Sequence, residues 1–111
     1  EYVLPNITFS KSTDYYKTLE LIANAQCVIT DSGGIQKEAY FMKKPCLTIR
    51  SETEWPETIK FGYNKLIFNK LDEINEIIKF NYFKNKNTYQ KSIFGNGKSS
   101  SKIINILKRY L

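Results

Sequence analysis

The residues best suited to chemistry in this chain lie together at Asp31-Ser32-Gly33-Gly34. They follow the apolar, β-branched run Cys27-Val28-Ile29-Thr30 and precede Ile35-Gln36-Lys37-Glu38-Ala39-Tyr40-Phe41. In the second run Ile35, Ala39 and Met42 fall at helical spacing. A strand, a turn of small residues and a helix together aim free backbone N–H groups at an anion. The opening amides of a helix have no internal acceptor, and the macrodipole places roughly half a positive charge there. Gly33 and Gly34 carry no Cβ, so a phosphate can approach the main chain, and Ser32 can cap the helix or donate its hydroxyl. Glu38, about one turn along, is an acceptor for sugar hydroxyls. Anion donors with a hydroxyl acceptor beside them point to a nucleotide or nucleotide-sugar. The same residues also read as a tight turn followed by a serine cap, which is structure without function. Neither G-x-G-x-x-G nor the Walker A pattern occurs.

The elements that must position this junction follow from the pattern around it. Asn6-Ile7-Thr8-Phe9 is expected to form a short strand, and Ser12 or Thr13 to cap a helix starting near Asp14. Tyr15, Leu19, Ile22 and Ala23 mark its inner face, and Asn24 its end. After the strand over 27–30 and the helix over 34–42, Cys46-Leu47-Thr48-Ile49 is the third expected strand. Repeated β-α steps predict an α/β fold, a mostly parallel sheet with right-handed crossovers. Thr53 is expected to cap a short helix with Pro56 in its first turn, ending at Gly62. A fourth strand is expected at Lys65-Leu66-Ile67-Phe68, then a helix with Leu71, Ile74, Ile77 and Ile78 inward. Residues 84–98 read as loop, and Ser99 or Ser100 as the cap of a last amphipathic helix carrying Ile103, Ile104, Ile106, Leu107 and Leu111.

In parallel α/β sheets, ligands bind beyond the carboxyl ends of the strands. Loops ending at Thr13, at Gly34 and at Trp55 leave that edge and are expected to share one rim. Arg50 is a candidate charge partner there and Trp55 a candidate stacking face. The structural alternatives are an ion pair of Arg50 with Glu52 or Glu54, and Trp55 as an anchor at the edge of the core.

Composition sets the bounds. The 111 residues suffice for one domain, 41% are hydrophobic, and fifteen are Phe or Tyr, so a folded core is expected. No apolar run approaches the ~18 residues of a membrane span, and the N-terminus has no signal-peptide pattern. The chain opens on Glu1-Tyr2 without a Met, as expected of a piece of something longer. The net charge of +6 permits an anionic partner, although many lysines between Lys79 and Lys108 read as a solvated surface. The absence of His excludes a His-based triad or His metal site within the chain, and two separated cysteines make no zinc site. Cys27 and Cys46 sit in apolar runs and read as buried, reduced thiols, which suits a cytoplasmic protein.

Thr30-Asp31-Ser32-Gly33-Gly34-Ile35-Gln36-Lys37-Glu38-Ala39, then Lys44-Pro45-Cys46-Leu47, then Arg50 and Thr53-Glu54-Trp55-Pro56-Glu57, resemble the C-terminal domain of the non-hydrolysing UDP-N-acetylglucosamine 2-epimerases. Phe94-Gly95-Asn96-Gly97-Lys98-Ser99-Ser100 with its following helix is similar to that family's closing segment. The resemblance implies a GT-B-type enzyme of two Rossmann-like domains with the substrate between them. Residues 1–111 would be the second, UDP-binding domain, with the N-terminal domain absent. It implies interconversion of UDP-GlcNAc and UDP-ManNAc by elimination and re-addition of UDP, without a cofactor or metal. It assigns the diphosphate to Ser32, Gly33 and Gly34 and the ribose to Glu38. Thr13 stands where Gln is commoner, Thr18 where many members have Phe near the uracil, with Tyr15 or Tyr16 as substitutes, and Trp55 where many have Arg. The Thr-Glu-Trp version is similar to a subgroup acting on 2,3-diacetamido sugars.

The family's catalytic carboxylates and His lie in its other domain, so the resemblance implies no catalytic residue in this chain and no activity in isolation. It implies a UDP-sugar substrate and a homodimer in the full-length form, without a membrane or nucleic acid partner. The alternatives are the donor-binding domain of a GT-B glycosyltransferase and a non-catalytic polyanion-binding module.

Overall fold

Short β-branched runs flanked by helix-forming segments give an alternating α/β chain. The computed structural model describes residues 5–79, 83 and 88–111. Helix α1 is Tyr15–Asn24, strand β1 Val28–Thr30, helix α2 Gly33–Phe41 and strand β2 Cys46–Thr48. Helix α3, Pro56–Lys60, leads to strand β3, Asn64–Leu66. A 3-10 turn at Leu71–Glu73 runs into helix α4, Ile74–Lys79, and the chain closes on helix α5, Ser99–Leu107.

The described strands form a three-stranded sheet in the order β1-β2-β3, parallel throughout. Val28 pairs with Cys46 and Thr30 with Thr48, while Cys46 pairs in turn with Asn64 and Thr48 with Leu66. Alternation along the central strand sorts the core onto two faces. Leu47 points to one side, where it packs with Ile67, Ile77 and Phe83. Cys46 points to the other and packs with Ile22 of α1 and Ala39 of α2. The result is a three-layer α/β domain, as expected for a Rossmann-like half. No described helix is long and apolar enough to cross a membrane.

Several boundaries differ from expectation for local reasons. Residues 6–9 form no strand; Ile7 and Phe9 are exposed, and no described strand lies alongside. Asp14, not Ser12 or Thr13, caps α1, its carboxylate accepting from the Lys17 amide at 2.8 Å. Trp55 is the N-cap residue of α3, while Thr53 is drawn into the core instead. Strand β3 begins at Asn64, a residue earlier than expected, and stops before Ile67 and Phe68. Leu71 and Ile78 face outward; only Ile74 and Ile77 of the expected stripe join the core. At α5 the N-cap is Lys98, not Ser99 or Ser100. Residues 84–87 of the expected loop lie outside the described residues.

Candidate functional site

The chain leaves β1 at Thr30 and turns at once. The Ser32 amide donates to Thr30 Oγ1 at 3.0 Å, which folds the turn tightly before α2 begins. Ser32 then caps α2, its Oγ accepting from the Ile35 amide at 3.5 Å and its carbonyl from the Gln36 amide at 3.3 Å. Among the described residues nothing accepts from the amides of Gly33 and Gly34. These uncommitted donors stand at the N-terminus of a nine-residue helix, beyond the carboxyl end of a parallel strand. Glu38 is half-buried one turn further on.

The loop after β2 closes over this turn. Arg50 Nη1 holds both carboxylate oxygens of Glu54, at 2.7 and 2.9 Å. That carboxylate rests on Gly33: a Cβ added there would stand 3.2 Å from Glu54 Oε2. The Arg50 bond holds the Glu54 carboxyl below the usual carboxylate range, and Glu54, with Glu52 and Asp31 further away, keeps the guanidinium charged. The rim continues into the loop after β3, where Arg50, Ser51, Phe68 and Asn69 border an open cleft of about 220 Å³.

Beneath the loop runs a buried chain of polar side chains that sequence reasoning missed. Gln36 Oε1 accepts from Thr53 Oγ1 at 2.5 Å and from Asn64 Nδ2 at 3.0 Å. Asn64 Nδ2 also donates to Thr58 Oγ1 at 3.1 Å, and Asn64 Oδ1 accepts from Thr48 Oγ1 at 2.7 Å. Thr58 Oγ1 donates to the Trp55 carbonyl, and Thr53 Oγ1 accepts from the Trp55 amide. Gln36, Thr48, Thr58 and Asn64 are all buried. Every link is needed, because a polar group in this interior without a partner costs about 1–3 kcal/mol. The signal was available: Gln36 is three and four residues before the buried Ala39 and Tyr40, so it shares their face.

Arg50 thus pairs with Glu54, and Trp55 is half-buried rather than open to the rim. Lys37 Nζ lies 4.2 Å from the Trp55 ring centroid and 4.9 Å from that of Phe94, whose ring meets Trp55 edge-on at 5.6 Å. Trp55 Nε1 is buried without a hydrogen-bond partner among the described residues. The remaining candidates cluster separately at the start of α1. Thr13 and Thr18 share a hydroxyl–hydroxyl bond at 2.8 Å, and Thr18 also donates to the Asp14 carbonyl. Tyr15 is exposed and meets Tyr16 edge-on. Of the three loops expected to share one rim, those carrying Gly33 and Glu54 are in contact. Among the described residues the side-chain bonds of Thr13 and Thr18 stay within their own loop and the start of α1. Both thiols are free, and burial raises Cys27 above its ordinary pKa and Cys46 to about 11.

Comparison with known proteins adds a family to this geometry. Residues 1–108 match the family model described as UDP-N-acetylglucosamine 2-epimerase. A UDP-N-acetylglucosamine 2-epimerase homolog of Methanococcus maripaludis is 42% identical over 104 residues, covering 93% of this chain and 28% of that protein. A UDP-2,3-diacetamido-2,3-dideoxy-D-glucuronate 2-epimerase of Pseudomonas aeruginosa is 38% identical, covering 86% of this chain and 27% of its own length. The crystal structure of the Methanocaldococcus jannaschii UDP-GlcNAc 2-epimerase in complex with UDP-GlcNAc and UDP superposes with a TM-score of 0.67 at 41% identity. It covers 86% of this chain and 26% of that one. The chain therefore spans little more than a quarter of these relatives.

Proposed function

Because the chain belongs to the UDP-N-acetylglucosamine 2-epimerase family, we propose that residues 1–111 form the C-terminal nucleotide-binding domain of a two-domain UDP-sugar 2-epimerase. The observation that carries this reading is the pair of uncommitted amides on Gly33 and Gly34 beyond the end of β1. Their role is to hold the diphosphate of UDP, with the Ser32 hydroxyl beside them and Glu38 accepting from the ribose. An elimination that expels UDP, followed by its re-addition, needs the leaving anion stabilised and kept in place. Fixed amides at a helix N-terminus serve both ends. The acid–base groups and the sugar site belong to the rest of the polypeptide, so the isolated chain binds UDP weakly and turns nothing over.

Which 2-acetamido sugar is used follows from that missing half. A UDP-N-acetylglucosamine 2-epimerase and a UDP-2,3-diacetamido-2,3-dideoxy-D-glucuronate 2-epimerase both match this chain. A cytoplasmic location and a homodimer are corollaries of the proposal. So are assignments of Thr13, Tyr15 and Thr18 to the uridine side and of Arg50 and Trp55 to the phosphate side.

Calorimetric titration with UDP, ADP and a short RNA tests the reading. Replacing Ser32 and Glu38 together by Ala is expected to abolish UDP binding in the full-length polypeptide. Equal binding of RNA and UDP, with a steep salt dependence and no effect of the two substitutions, would favour a polyanion module instead.

A further inference from the structure

The acid at the mouth of an anion site needs an explanation. Glu54 Oε2 lies 3.2 Å from where a Gly33 Cβ would be, and the two other nearest atoms are also of its carboxyl group, each at 3.5 Å. Its carboxylate bonds to Arg50 and to its own backbone amide, and its side chain is half exposed. The residue before it is fixed, since Thr53 is tied to the buried Gln36. A rigid base with a free carboxylate arm, resting on a helix start that attracts negative charge, is an intramolecular anion in contact with the turn.

We propose that Glu54 is a displaceable occupant of the diphosphate site, and that Arg50 exchanges its carboxylate for the phosphates when a nucleotide enters. This inference rests on the nucleotide reading above and adds a regulatory step to it. A carboxylate and a diphosphate cannot both lie against Gly33, because like charges at about 4 Å repel even when largely screened. The exchange keeps the Arg50 guanidinium paired with an anion in both states. With the site empty, the guanidinium neutralises Glu54. With it filled, the same fork is released beside phosphate, for which its geometry is equally suited. Glu54, being exposed, swings into water at little cost. The device lowers affinity for UDP and keeps Arg50 near the turn, which favours release of the product nucleotide sugar.

The test uses the full-length polypeptide, with UDP and uridine as probes in calorimetry at low and high salt. Glu54→Gln is expected to tighten UDP binding roughly fivefold, the scale of one largely screened like-charge contact. It should leave uridine unchanged, and the gain should shrink as salt rises. Arg50→Gln is expected to weaken UDP about tenfold, the scale of a hydrogen bond to a charged group. Circular dichroism of both variants excludes misfolding, and Glu54→Ser repeats the gain without an amide. The proposal is overturned if Glu54→Gln binds UDP no better, or worse, than the parent, since Glu54 then only orients Arg50. If the parent binds no UDP, or Ser32→Ala leaves its binding intact, the nucleotide reading itself fails and takes this inference with it.

Discussion

Helices α2 and α5 are both nine residues long, yet they behave as opposites. Helix α5 has the more amphipathic sequence, with Ile103, Ile104, Ile106 and Leu107 along it, and it buries no residue. Helix α2 is mixed in character and buries Gln36, Ala39 and Tyr40 completely. The difference shows what an apolar stripe does and does not say. It states that a partner is needed, but where that partner lies is decided by the chain's topology. Helix α2 sits between β1 and β2 and is pressed onto the sheet by its own connections; α5 trails after the last strand. The molecule is elongated accordingly, 61 × 33 × 24 Å with a radius of gyration of 17.2 Å. A compact chain of this length would have a radius of about 13 Å.

Tyr40 provides the sharpest way to break this contrast. Its ring packs against Tyr63, Tyr89, Phe41 and Phe94, and its hydroxyl donates to the Gln90 carbonyl at 3.1 Å while accepting from the Gln90 amide at 2.9 Å. It therefore ties residues 89–94 to α2. Tyr40→Ala is expected to cost about 3–5 kcal/mol in urea denaturation. Ile103→Ala in α5, half exposed, should stay within about 0.5 kcal/mol. Comparable losses at the two positions would mean that α5 is packed in solution and that the contrast is false.

Next in size is Gln36→Leu. The substitution preserves bulk but removes the acceptor shared by Thr53 and Asn64. About 1–3 kcal/mol of stability should go with it. The loop bearing Glu54 should also loosen, seen as faster amide exchange at residues 53–55. Faster exchange without a stability change, or the reverse, would separate the network's two roles. This residue also marks where the sequence was legible. Strand–turn–helix order, the sheet's parallel sense and the Ser32 cap were all written in local pattern, because period and turn chemistry are local. The Gln36–Asn64 bond spans residues 28 apart in the chain, and Glu54 reaches Gly33 across a loop. Pairings of that kind depend on the register of strands and have no local signature. The missed strand at residues 6–9 failed for the converse reason: its pattern was right, but no described neighbour pairs with it. The cap of α1 slipped because Ser, Thr and Asp compete for one position, and that of α3 because the Thr53 hydroxyl is engaged by Gln36 instead.

The smallest effect concerns the start of α5. Ser32 gives α2 a side-chain acceptor, whereas Lys98 stands at the N-cap of α5 with none and sets a positive charge beside the positive end of the helix. An isolated helix this short is marginal, since nucleation is costly and nothing buried repays it. Its population in solution should then respond to the cap more than to any side chain along its face. Lys98→Asp is expected to add about 1 kcal/mol to the helix. The readouts are deeper ellipticity at 222 nm and slower amide exchange confined to residues 99–107. A helix already held by tertiary contacts would show neither, because its occupancy would be saturated before the cap was improved. Silence in this experiment would therefore assign α5 a partner within the chain and remove the distinction between the two helices.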